Sequence, residues 1–250
     1  RKAVLSTWMH LPPREGYRPH YLLLADHHFA ISDEIKSQLA DVGVKNNSVD
    51  VVFNPIKKTN KIISRPESLR ILYIGRIHFE RQKQLKDLFD ALAQVDVSWS
   101  LDIVGDGEDL TLCQSYTQQL GISHHITWHG WQNEPWEYVE NHIRQVTCLV
   151  MTSNFEGFPL VLLEAISRGI YCIAADCVSG PSEIIENNIN GQLYSRNDII
   201  MLTEHLNKIG SGAILPDYAV IKESIGKFYE EAYMDTFKKV LNKIDKDKDE

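Results

Sequence analysis

The sequence predicts an α/β fold: a doubly wound parallel sheet, with a smaller piece of similar layering in front of it. Two observations carry this. From residue 69 onward, short apolar runs alternate with stretches of helical periodicity, as expected of strands covered by helices on both faces. Three of these runs also end in glycine-bearing turns, at Gly75-Arg76, Gly105-Asp106-Gly107 and Glu156-Gly157, where the chain leaves a strand for a helix. No internal repeat is visible.

Residues 1–57 form one block. "KAVLST" and "HFAIS" read as short buried strands, and Ser32 is placed to cap a helix over "DEIKSQLADVG", with Gly43 as its stop. "VDVVFNP" comes next as a third strand, ended by Asn54-Pro55. Residues 58–68, "KTNKIISRPES", are polar, basic and aperiodic, and read as a linker.

The main unit spans 69–215. The strand "LRILYIG" leads to a helix over "KQLKDLFDALAQV", with Leu85, Leu88, Phe89 and Leu92 on one face. "SWSLDIVGDG" is a strand into a turn, and "DLTLCQSYTQQLG" the next helix. "HITWHG" is a short strand and "EPWEYVENHI" a short helix. "VTCLVMTS", a fully apolar strand, precedes a helix running to about Arg168. "GIYCIAAD", the short helix "GPSEIIE", the edge strand "NGQLYS" and a helix over "DIIMLTEHLNKI" complete the unit. Residues 216–250 add one or two helices that would cross back to the first block, then a solvated charged tail, "DKDKDE".

At 250 residues the chain suffices for one large domain or two small ones. Its 43% hydrophobic and 24% charged content place it among ordinary soluble proteins. No apolar run approaches the ~20 residues of a membrane span. A net charge of −8 argues against nucleic acid as a partner, since phosphate backbones favour a basic surface. Cys113, Cys148, Cys172 and Cys177 show no CxxC and no zinc spacing, and read as reduced, buried thiols of a cytosolic protein. Ten histidines include no HExxH pattern, so no metal is expected. The opening "RKAVLSTW", without Met, suggests a fragment that lacks its beginning.

Ligands of open parallel sheets bind outside the carboxyl ends of the strands. Gly105 in "VGDG" lies at such an end, although a glycine there is equally a plain turn. In "GRIHFERQK", Arg76 comes directly after the strand and Lys83 opens the next helix. Cations at a helix N-terminus oppose its macrodipole. They become favourable around a shared anion, and phosphate suits the guanidinium fork, the ammonium and the backbone N–H groups together. Two solvated surface cations are the plain alternative.

In "NFEGFPLVLLEA", Glu156 falls in the loop after a central strand. Gly157 lets backbone approach a ligand, and Pro159 suits the first helical turn. The free N–H groups near Phe158 to Leu160 would face the anion site, with Leu160 to Leu163 packed on the sheet. Glu164 then stands on the second turn near the pocket wall, where a carboxylate needs donors such as the vicinal hydroxyls of a ribose. Two surface glutamates remain the alternative on spacing alone.

Together these motifs resemble the retaining nucleotide-sugar glycosyltransferases of family 4, with the two-domain GT-B architecture. "LYIGRIHFERQK", "DIVGDGED", "ITWHGWQNEP", "TSNFEGFPLVLLEAISRGIYCIAAD" and "GPSEIIENNINGQLY" match that family's C-terminal domain in order. "ISDEIKSQLADVGV" and "VDVVFNPI" are similar to the end of its N-terminal domain. "FERQKQLKDLFDAL", "WHGWQNEPW" and "DCVSGPSEII" are most similar to the lipopolysaccharide core α-1,6-galactosyltransferase group.

The resemblance implies a UDP-sugar as donor and an oligosaccharide or glycolipid as acceptor. It implies that Arg76 and Lys83 hold the diphosphate in place of a metal. Here two extra residues separate them compared with many relatives. Glu164 would take the ribose hydroxyls, while Glu156 and the backbone of Gly157 to Leu160 would contact the hexose and phosphate. Gly75 and Gly105 would lie beside the donor. The loop Gly130-Trp131-Gln132 would hold the uracil, and His10, in "TWMH", would sit near the sugar's primary hydroxyl.

The implied reaction is hexose transfer, galactose favoured, with retention at the anomeric carbon. Retaining glycosidases use two closely opposed carboxylates. Glu156 and Glu164 are not that pair, and a same-face mechanism with a diphosphate oxygen as base fits the family better. The fragment alone is expected to bind UDP weakly and to transfer little. A cytoplasmic location is expected, at the inner face of the membrane if the missing N-terminal part attaches there peripherally. A GT-B-fold UDP-sugar epimerase and a non-catalytic partner subunit are the alternatives. The four residues Arg76, Lys83, Glu156 and Glu164, present together, speak against the second.

Overall fold

The apolar runs pair as two all-parallel sheets. The computed structural model describes residues 3–10, 13 and 18–246. The smaller sheet runs β1 (Ser6–Met9), β2 (His27–Ala30), β3 (Val49–Val51). The larger has the spatial order β6 (Ile126–Trp128), β5 (Trp99–Val104), β4 (Leu69–Ile74), β7 (Cys148–Met151), β8 (Tyr171–Asp176), β9 (Gly191–Ser195). Pairing of β1 begins with Ser6 opposite His27, so this strand sits later than "KAVLST" indicates.

The chain enters the larger sheet at β4, winds outward through β5 and β6, then returns to the other side of β4 as β7. Helices after β4 and β7 therefore leave in opposite directions, and a crevice opens between the two strand ends. Every residue of β7 is buried, as helices on both faces require.

Local chemistry sets most helix ends. The Ser32 hydroxyl accepts the Ile35 N–H at 3.0 Å and starts α1 (Asp33–Asp41), while Gly43 at φ +100° lies just past its end. α2 (Leu85–Leu92) starts later than its periodicity suggests. Gln84 before it is left-handed at φ +48°, which leaves Lys83 in a loop rather than in the helix. α3 (Leu110–Gln119) comes after β5, and α4 (Pro135–Tyr138) continues into a wide π turn over Val139–Ile143. α5 (Leu160–Ile166) begins one residue after Pro159, and α6 (Pro181–Ile184) and α7 (Ile199–Gly210) flank β9.

The last helices are α8 (Tyr218–Glu223) and α9 (Glu230–Lys246). α9 returns to the smaller sheet, where Phe237 packs on Trp8 and Phe29 and Lys243 reaches Asp50 at 3.0 Å. Residues 58–68 lie flat on the larger unit. Ile63 is buried and donates its N–H to Arg168 O, and Ser64 O accepts from Val146 N. Lys222 Nζ also donates to the carbonyls of Thr59 and Lys61.

The carboxyl ends of the two sheets face one another. Ser32, just past β2, lies 3.0 Å (Oγ to Oγ) from Ser179, just past β8. The Glu183 carboxylate accepts the Asp33 N–H at the start of α1, and Phe53 stacks on Phe158.

Candidate functional site

A cleft of about 520 Å³ opens at the carboxyl ends of β4, β5 and β7, at the point where the strand order reverses. Every sequence-predicted binding residue lines it except Gly130, Gly157 and His10.

Its floor depends on glycine. A Cβ on Gly105 would fall 1.9 Å from Gly75 O, and Gly105 has φ +147°, so the loops after β4 and β5 touch backbone to backbone. The Gly105 N–H donates to Gly130 O at 2.9 Å, so Gly130 braces the floor from behind.

One wall carries the charges. Lys83 Nζ lies 2.6 Å from Glu156 Oε1, and both side chains are largely buried. A carboxylate so enclosed needs a cation or several donors, and Lys83 supplies the cation. Further bonds lace the two loops together. Thr152 Oγ1 donates to Lys83 O, Asn154 N to Gln82 O, and Asn154 Nδ2 to Arg81 O. Arg76 is exposed, and among the described residues its guanidinium has no ion-pair partner. Its carbonyl accepts the Tyr73 hydroxyl at 2.7 Å. Burial, with the Glu156 charge nearby, pushes the Tyr73 phenol well above its usual range, so it stays a donor.

Glu164 faces the cleft from α5. Its Oε2 accepts the indole N–H of Trp136 at 2.7 Å. The opposite rim is the loop after β6, where the Trp131 ring is 74% exposed and Gln132 Nε2 donates to His129 O. His129 Nε2 meets Asp102 Oδ1 at 2.7 Å, and Asp102 also accepts Arg70 Nε at 2.7 Å. Burial pushes the Cys113, Cys148 and Cys177 thiols up to about 12, with the Glu156 charge adding at Cys177. All four cysteines are free and buried, which leaves them unreactive.

The expectation that Leu160 to Leu163 all pack on the sheet needs correction. Leu162 and Leu163 are fully buried, but Leu160 is 39% exposed and lines the cleft with Val161. Successive helical residues are turned by about 100°, so four in a row cannot share one face. His10 comes just after β1 at the sheet end that faces the larger unit, stacked on Trp8 with ring centroids 6.1 Å apart. It is exposed and does not line the cleft. Gly157 sits behind the wall, where its carbonyl accepts the Ser179 hydroxyl at 2.7 Å.

Sequence reasoning missed Trp136, Ser179 and Gln82. Ser179 is left-handed at φ +70°, a conformation a non-glycine residue keeps only when its surroundings hold it there. A tryptophan after proline at a helix start announces a buried N–H in need of an acceptor, but not which acceptor.

Two facing parallel α/β layers with a ligand-sized cleft at the reversal of strand order define the GT-B class. Residues 56–247 match the family model described as "Glycosyl transferases group 1", and the chain belongs to that family. It is 43% identical over 238 residues to the lipopolysaccharide 1,6-galactosyltransferase of Escherichia coli K12, covering 94% of this chain and 66% of that protein. The chain thus spans about two thirds of that relative's length. The apo form of a lipopolysaccharide outer core galactosyltransferase, WaaB, superposes with a TM-score of 0.93 at 39% identity. That match covers 97% of this chain and 69% of the other. Anabaena Alr3699/HepE in complex with UDP-glucose superposes at 0.76 with 17% identity, covering 96% of this chain and 72% of that one, which supports the fold alone.

Proposed function

We propose that this chain is the donor-binding portion of a transferase that moves galactose from UDP-galactose to a saccharide hydroxyl of the lipopolysaccharide core, with retention. The observation that carries it is the convergence of Arg76, Lys83, Glu156 and Glu164 on one cleft at the switch point. The names of the close relatives support the galactose and the acceptor class.

In this reading the exposed Arg76 guanidinium and Lys83 hold the diphosphate and stabilise the charge that grows on it as the glycosidic bond breaks. Glu164 takes the ribose hydroxyls, and the Trp131 and Gln132 loop takes the uracil. Glu156 and the backbone from Phe158 to Leu160, which line the cleft, meet the hexose, while Gly157 holds that wall from behind. Glu156 and Glu164 already have partners, Lys83 and Trp136, which suits binding roles rather than a nucleophile and acid pair. A diphosphate oxygen then serves as base on the face the leaving group vacates. No metal enters this scheme, so turnover is expected to survive EDTA. The acceptor, and a peripheral attachment to the inner membrane face, belong to the part of the enzyme beyond this chain.

The test is calorimetry of this chain with UDP, ADP and GDP, then a donor screen with the full-length enzyme that tracks UDP release. UDP should bind tightest, and UDP-galactose should turn over fastest. Equal affinity for the three diphosphates, or none for any, would overturn the donor reading. UDP-sugar epimerisation without acceptor would replace transfer with the rival activity.

A further inference from the structure

We infer that Trp136 is a positioning residue for Glu164, fixing the plane of its carboxylate so that one oxygen is left for the nucleoside sugar; this rests on the donor reading above. Trp136 is 7% exposed, and its indole nitrogen can only donate. It donates to Glu164 Oε2 at 2.7 Å, across 28 residues of sequence. Among the described residues Glu164 Oε1 has no hydrogen-bond partner, and Glu164 lines the cleft.

The indole is held in turn. The Arg168 guanidinium lies over the ring at 4.7 Å from its centroid. Arg168 is fixed by Glu140, Nε to Oε1 at 2.8 Å, and by the Glu164 carbonyl, Nη1 to O at 3.1 Å. Pro135 lines the cleft beside Trp136 and opens α4. The ring is therefore constrained on its face and at its nitrogen, and rotation of the Glu164 carboxylate about its last bond is stopped.

A free glutamate would have to be ordered when ligand arrives, at the cost of side-chain entropy. Here that ordering is complete beforehand. Oε2 is committed to the protein, and Oε1 is left with both lone pairs for a ligand on the residue that lines the cleft. A vicinal diol can bridge to such an oxygen with both hydroxyls, whereas a 2′-deoxyribose offers one. The arrangement should thus appear as discrimination between ribo- and deoxyribonucleotides, beyond simple affinity.

The test is calorimetry of the full chain with UDP and with 2′-deoxy-UDP, with thermal melting as a check on folding. The wild type should prefer UDP. Trp136→Phe should lower that preference by about tenfold, as expected for a lost charge-assisted hydrogen bond. Arg168→Gln, which removes the cation over the ring, should lower it by about threefold. A merely structural role would weaken both ligands equally and leave the ratio intact. An unchanged ratio in whichever of these variants folds, with the ratio abolished in Glu164→Ala, overturns the positioning role alone. An unchanged ratio in Glu164→Ala itself overturns the placement of Glu164 at the ribose, and this inference with it.

Discussion

Lys83 and Glu156, 73 residues apart in sequence, meet at 2.6 Å on the wall of the cleft. The cation proposed for phosphate is therefore already neutralised, and a bound diphosphate has to share it. The carboxylate proposed for the hexose is held by the same contact.

Removing one partner should therefore free the other. Glu156→Ala leaves Lys83 with its full charge for the diphosphate, so UDP affinity should hold or rise. Transfer by the full-length enzyme should fall by about 100-fold or more. Glu164→Ala should instead weaken UDP and UDP-sugar alike, by about tenfold. Calorimetry and single-substrate kinetics on the two variants check this, and an equal loss of UDP affinity in both would show the division of labour to be wrong.

Gly105→Ala should cost about 3 kcal/mol, because its Cβ would fall 1.9 Å from Gly75 O and its φ of +147° disfavours any side chain. The loops after β4 and β5 would separate, with loss of nucleotide binding. Urea denaturation and UDP titration of the variant measure both effects.

Asp102→Ala should destabilise by about 3 kcal/mol, since it removes the buried carboxylate that Arg70 and His129 share. His129 leads directly into the Gly130-Trp131-Gln132 loop, so affinity for the base should fall too. Trp131→Ala, at an exposed ring, should change stability by less than about 0.5 kcal/mol while weakening UDP. Comparing urea midpoints with UDP affinities separates the two variants.

Burial holds His28, His78 and His205 below the usual 6.5. His27 adds to the effect at His28, Arg76 at His78 and Lys208 at His205. Below pH 6.5 each of these three groups binds protons more readily in the unfolded chain than in the folded one. The stability these groups contribute is present above pH 6.5 and is lost as pH falls through their depressed values. Urea unfolding between pH 7.5 and 5 should show that decline, and His28→Asn should make it shallower.

The alternation of strands and helices, the Ser32 cap and the glycine turns were legible because each depends on neighbours in sequence. The same turns located the cleft, since a parallel sheet places its strand ends together. Contacts made across the sheet were not legible. Nothing near Glu156 names Lys83, and nothing near Glu164 names Trp136. The left-handed Gln84 moved Lys83 out of a helix that its periodicity allowed. Composition likewise concealed the packing of residues 58–68, whose bonds run to Arg168, Val146 and Lys222.

Ser179 reaches Ser32 on one side and the Gly157 carbonyl on the other. A single hydroxyl thus belongs to both halves of the molecule. If the halves rotate against each other, either the Ser32 link breaks or Gly157 is dragged along with Glu156 beside it. As long as the Ser32 link holds, the joint would act as a gear tooth, turning any swing of one layer into a displacement of the loop on the other.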